Sequence, residues 1–151
     1  MEAYRHKVHY YETDQMGVVH HSNYIRWFEE SRTDMMERFG YGYDKAEAHG
    51  IMIPVLEVSC RYHSMVRYGE EVLISPRIEQ CNGVRMTLSY RVTDAATGEL
   101  RTTGESRHCF VDATFRPVAL QKADRELFEK FKDMEQADAA TGGPLPDAGV
   151  R

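Results

Sequence analysis

The sequence predicts an α+β domain in which one strand precedes a long helix and an antiparallel meander of four strands then curls around that helix. Three observations carry this reading. Apolar residues recur at spacings of three and four between positions 22 and 39, apolar and polar residues alternate strictly between 85 and 93, and short β-rich segments are punctuated by Asn82-Gly83 and by the turn at 94–98.

In the helical segment Tyr24, Trp27, Phe28, Ser31, Met35 and Phe39 share one face, while Arg26, Glu29, Glu30, Asp34 and Glu37 face water or partners. Ser22 or Asn23 is the expected N-cap and Gly40 the stop, so the helix is expected over 23–39. Residues 41–50 read as a loop or short helical turn, and a strand-like segment begins at 51–60 with Pro54 near its start. In the next strand Val72, Ile74 and Ile78 alternate with Leu73, Ser75 and Arg77. Pro76 interrupts it and predicts a bulge or an exposed edge. Asn82-Gly83 predicts a tight hairpin. Beyond it Met86, Leu88, Tyr90 and Val92 alternate with Arg85, Thr87, Ser89, Arg91 and Thr93, giving a core face and a wetter one. The last strand is expected over 100–112, with Gly104 relieving crowding or allowing a bend. A second helix over 123–134, with Leu127, Phe128, Phe131 and Met134 as its stripe, is expected at the periphery. The domain is therefore placed at residues 1–134. Residues 135–151, poor in large apolar side chains and rich in Gly, Pro and Ala, are expected to be a disordered tail.

At 151 residues the chain is long enough for one domain with a core that needs neither metal nor disulfide support. No run approaches the ~20 apolar residues of a membrane span and the N-terminus lacks a signal peptide's apolar segment, which predicts a cytoplasmic protein without membrane insertion. Cys60, Cys81 and Cys109 are odd in number and lack C-x-x-C spacing, so they are expected to be reduced and packed. A net charge of −5 with scattered basic residues argues against a nucleic-acid partner. The open edges of a curled sheet predict edge-to-edge pairing, at least as a homodimer.

The common catalytic templates (His-Glu-x-x-His, a nucleophile elbow, a phosphate-binding loop, a Cys-His pair) are missing from the sequence, which leaves carboxylate chemistry. Asp14 stands just before the long helix, where free backbone N–H groups and partial positive charge can stabilise an oxyanion. Asp14 with Gly17 is by spacing alone an ordinary turn. His20 and His21 are adjacent, so their side chains are expected to diverge rather than chelate a metal, and His63 and His108 read as ordinary hydrogen-bonded residues.

The segment 10–32 resembles the hotdog-fold acyl-CoA thioesterases of the 4-hydroxybenzoyl-CoA thioesterase family, including its Tol-Pal-associated short-chain branch. The resemblance is carried by Tyr10-Tyr11, Asp14, Gly17, Val18-Val19, His21, Tyr24, Glu29 and Arg32, and more loosely by Pro54, Tyr68-Gly69-Glu70 and Arg116-Pro117-Val118. It implies a hotdog fold, a long central helix wrapped by a five-stranded antiparallel sheet. It further implies a thioester hydrolase in which Asp14 is the nucleophile or general base and the His21 backbone N–H binds the thioester oxygen. Gly17 would keep the loop thin for the acyl group. No metal and no organic cofactor is implied, coenzyme A being part of the substrate. Arg116 matches a position that contacts coenzyme A phosphates, and Arg85 lies near the hairpin where other basic contacts fall. The family commonly forms homotetramers. Met16, Val18, Tyr24, Met52, Ile53 and Met65 are the expected pocket lining. Two alternatives stay open: a hotdog module that binds acyl-CoA or acyl-carrier protein without hydrolysis, and a hotdog dehydratase, which would leave the Asp14 loop without a role.

Overall fold

The computed structural model describes residues 3–141. Its elements run β1 (Tyr4–Lys7), a 3-10 turn (Tyr10–Glu12), α1 (Ser22–Arg38), α2 (Tyr43–Ala48), β2 (Val55–Tyr62), β3 (Glu71–Cys81), β4 (Arg85–Asp94), β5 (Leu100–Cys109), α3 (Leu120–Ala123) and α4 (Arg125–Thr141). The strands form one antiparallel sheet in the order β1-β3-β4-β5-β2, so β1 and β2 are its edges.

The predicted face of α1 is the buried one. Tyr24, Trp27, Phe28, Ser31, Met35 and Met36 are buried together with Asn23 and Arg32. Burying side chains of the size of Trp27 and Phe28 is worth roughly 2–3 kcal/mol each. Phe28 stacks on Tyr90 of β4 with ring centroids 4.3 Å apart. Gly104 of β5 is required by that approach, because a Cβ there would overlap the Phe28 ring. Gly40 ends the helix region at φ +80, as its position predicts. Neither Ser22 nor Asn23 caps α1 with its side chain. His21 flanks the helix start, the Ser22 hydroxyl pairs with His20 Nδ1 at 2.8 Å, and Asn23 Nδ2 donates to the Glu12 carbonyl at 2.9 Å.

The alternation along β4 holds, with Met86, Leu88, Tyr90 and Val92 buried on the helix side. Pro76 makes no bulge: it sits buried in β3 opposite Tyr90, beyond the end of the ladder with β1, and the register shift falls between Ile78 and Gln80. Missing an N–H is tolerated there because, among the described residues, β3 has its ladder partner at this point on the β4 side only. Strand β2 starts at Val55, later than predicted, since Ile51 is in the core and Met52 bridges to Val111. Strand β5 ends at Cys109.

The second helix is not peripheral. Leu127, Phe131 and Met134 of α4 are fully enclosed in the core, with Phe131 against Phe110 at 5.8 Å. It also runs to Thr141, so residues 135–141 are helix rather than tail, and Glu135 accepts the Cys81 N–H at 2.9 Å. The expected disorder of the remaining tail concerns 142–151, outside the described residues.

Candidate active site

The loop between the 3-10 turn and α1 is shaped by Asp14 and Gly17. Asp14 Oδ1 accepts the Met16 N–H at 2.8 Å, the Asp14 carbonyl accepts the Gly17 N–H at 3.0 Å, and the Asp14 N–H closes onto the Val18 carbonyl at 2.9 Å. Gly17 sits at φ +76, and a Cβ there would meet nothing within 4 Å. The glycine is needed for its backbone conformation, and among the described residues no neighbour requires a thin loop. The turn delivers Asp14 beside the start of α1.

Asp14 lines a cleft of about 260 Å³ together with Met16, Val18, Val19, His21 and Tyr24 on one wall and the 62–65 segment on the other. Four of the six expected lining residues, Met16, Val18, Tyr24 and Met65, are there. Met52 pairs with Val111 instead, and Ile53 packs on the core. At the helix start the Asn23 N–H is taken by the His20 carbonyl at 3.0 Å and the Ser22 N–H by His20 Nδ1 at 3.2 Å. The His21 N–H has no acceptor among the described residues. The imidazoles of His20 and His21 stack at 4.1 Å rather than diverging, which the loop permits and a regular strand or helix would not.

Of the second wall only Met65 is among the residues expected. Tyr62 ends β2, His63, Ser64 and Met65 follow it, and all four reach the cleft because β2 pairs with β5. The Tyr62 hydroxyl donates to the His21 carbonyl at 3.3 Å, and its ring meets Tyr24 edge-on at 5.2 Å. His63 Nε2 lies 3.1 Å from the hydroxyl of buried Thr103. Burial pushes the Tyr24 hydroxyl up to about 12, and burial with the Cys60 thiol raises Tyr62 further. Both tyrosines are therefore neutral donors near pH 7.

Behind the first wall lies Glu12, a buried carboxylate whose sequence neighbours Tyr10 and Tyr11 are the exposed ones. Burial alone would raise its carboxyl, but hydrogen bonds from the His9 N–H, His6 and Trp27 bring it below the ordinary range. His6, His9 and Glu12 also bring potential metal-ligating atoms within 4.8 Å of one another, with both Glu12 oxygens already accepting N–H donors. Elsewhere in the core Arg32 Nη1 stands 3.5 Å from the Tyr90 hydroxyl, which continues through Ser106 at 2.6 Å to His108 Nε2 at 2.7 Å. Burial, helped by Arg32, lowers His108 to about 4, so it is neutral.

Arg85 and Arg116 stand apart from this cleft. Arg85 lines a second hollow of about 370 Å³ with Leu56, Thr87 and Arg107, and Arg116 is exposed in the turn after β5. No helix among the described residues is long and apolar enough to cross a membrane.

A central helix against a five-stranded antiparallel sheet is the hotdog fold. The chain belongs to the thioesterase-like superfamily, whose family model matches residues 8–137, and it is a thioester hydrolase. It is 36% identical over 118 residues to YneP of Bacillus subtilis (strain 168), provisionally described as an acyl-CoA thioesterase, covering 78% of this chain and 85% of that one. The acyl-CoA thioester hydrolase YbgC of Escherichia coli O157:H7 is 24% identical over 117 residues, covering 78% and 87%. In structure the chain resembles a DHNA-CoA thioesterase from Staphylococcus aureus, with a TM-score of 0.85, 30% identity, and 95% and 96% of the two chains covered. These relatives do not single out the Tol-Pal-associated branch.

Proposed function

We propose that the chain hydrolyses an acyl-CoA to the free acid and coenzyme A, with Asp14 as the reacting carboxylate. The observation that carries this is the shared cleft: Asp14, His21 and an apolar wall line one small space, and the His21 N–H has no acceptor among the described residues. As nucleophile, an Asp14 oxygen adds to the thioester carbon, the C–S bond breaks, and the thiolate leaves and takes a proton from solvent. Water then hydrolyses the mixed anhydride. As general base, Asp14 takes the proton of a water that adds to the same carbon, and collapse expels the thiolate. In both routes the oxyanion sits at the His21 N–H and the start of α1. Thiolate is a good leaving group, so neither route calls for a metal or organic cofactor.

The test is release of free thiol from a panel of acyl-CoAs, acetyl to palmitoyl with benzoyl and phenylacetyl, for wild type and Asp14→Asn. The variant is expected to lose about 10²–10⁴-fold in turnover. Equal turnover by the two proteins would remove Asp14 from the mechanism. Tight binding without hydrolysis across the panel would leave a binding module. Arg85 and Arg116 are the proposed phosphate contacts of coenzyme A, supplied across a subunit boundary because the single chain holds them away from the cleft. A homodimer or homotetramer is supported by β2, an edge strand that exposes Val55, Leu56 and Val58. A monomeric mass by light scattering would overturn that assembly. Three free cysteines fit a cytoplasmic location.

A further inference from the structure

We infer that Glu12 is a positioning residue for this hydrolysis, fixing the Asp14 carboxylate and the His21 N–H in one frame. The inference rests on the reading of Asp14 and His21 given above. Glu12 is 4% exposed and lies two residues before Asp14. Its Oε1 accepts His6 Nε2 from β1 and the His9 N–H, each at 2.8 Å, and its Oε2 accepts Trp27 Nε1 from α1 at 2.7 Å. Its main-chain carbonyl accepts the His20 N–H at 2.8 Å and Asn23 Nδ2 at 2.9 Å. One residue therefore ties the strand before the reacting loop, the first turns of α1, and the residue adjoining the oxyanion donor. The Asp14 loop is suspended between the Glu12 tether and the His20 tether. Shifting Glu12 moves the carboxylate relative to the N–H, and misplacement by an ångström is enough to slow a reaction strongly.

The chemistry requires an anion rather than a residue of the same shape. Both carboxylate oxygens face N–H donors, so an amide in that position turns an NH₂ group toward one of them. Glu12→Gln keeps the volume and breaks the geometry. Its effect is read beside Asp124→Asn, which loosens the Tyr41 and His49 contacts at the start of α4 without touching the cleft. Both variants are assayed as full chains well below their melting temperatures. The expected result for Glu12→Gln is a kcat lower by roughly 10- to 100-fold with KM within about threefold. Hydrogen exchange in residues 13–23 should accelerate selectively, and Asp124→Asn should keep wild-type kcat. Wild-type kcat in Glu12→Gln overturns the inference, and so does an equal kcat loss in both variants, which would make the effect one of stability alone. If the wild type hydrolyses no thioester, the enzymatic reading fails on its own. Exchange in 13–23 then still tests the tether, and unchanged exchange in Glu12→Gln overturns it.

Discussion

One wall of the cleft is held by a buried anion and the other by a cation that water can reach. On the first, Glu12 gathers N–H groups from β1, the 3-10 turn and α1 at 4% exposure. On the second, Arg101 of β5 donates to Ser64 Oγ at 3.3 Å, the Met65 carbonyl at 3.1 Å, Asp94 at 2.9 Å and Glu70 at 3.0 Å. The Arg101 carbonyl in turn accepts the His63 N–H at 2.9 Å. The acidic partners of Arg101 range from 9% exposed for Asp94 to 42% for Glu99. The walls meet where the Val19 N–H donates to the Val66 carbonyl at 2.8 Å. Hydrogen bonds sealed from solvent are strong and insensitive to conditions, whereas charges at the rim are screened and titrate. Asp14, the carboxylate proposed to react, sits on the insensitive wall.

The largest effect expected of a single change to either tether comes from Trp27→Phe. It removes the donor to Glu12 Oε2, leaves a buried carboxylate oxygen unpaired, and opens space under α1. The loss is expected at about 2–4 kcal/mol in urea unfolding. Arg101→Gln is expected to cost less, about 1–2 kcal/mol, because its partners can rehydrate. The reverse order would break the comparison.

A smaller effect separates the walls by pH. Hydrogen bonding to Arg101, with the Thr97 and Ala96 N–H groups, holds the Asp94 carboxyl well below its ordinary value. A carboxylate depressed in the folded state contributes stability that is complete above its unfolded pKa, about 3.9, and is lost as pH falls through the folded one. Acid unfolding of the wild type should therefore steepen below about pH 4. Arg101→Gln should flatten that limb only in part, since Glu12 and Asp124 are lowered as well. A slope unchanged in Arg101→Gln would show that the rim charges do not set acid stability.

What the sequence makes legible here is periodicity and local motif. The face of α1, the alternation of β4, the crowding at Gly104 and the placing of Asp14 before a helix start follow from spacings within a few residues. The tethers do not. Nothing in the local sequence marks Glu12 as buried, and donors from three separate elements make that burial tolerable. Met65 is among the expected lining residues, but Tyr62, His63 and Ser64 reach the cleft through the pairing of β2 with β5, which no local pattern encodes. The stripe of α4 would look the same on a peripheral helix as on one that closes the core. Arg85 and Arg116, taken from the resemblance, do not line this cleft.

The smallest effect expected is at Gly17, and it bears on why the first wall has its shape. The residue holds φ +76 with open space where a Cβ would point. Gly17→Ala therefore meets no clash, and its cost is the left-handed backbone alone, about 1 kcal/mol. Glu12 and the Asp14 to Val18 hydrogen bond should hold the loop in place, so kcat is expected to fall by less than tenfold with KM unchanged. A KM raised by an order of magnitude at nearly unchanged stability would point the other way. The glycine would then be there for close approach of the acyl group, and the thin-loop role implied by the family resemblance would be the right one.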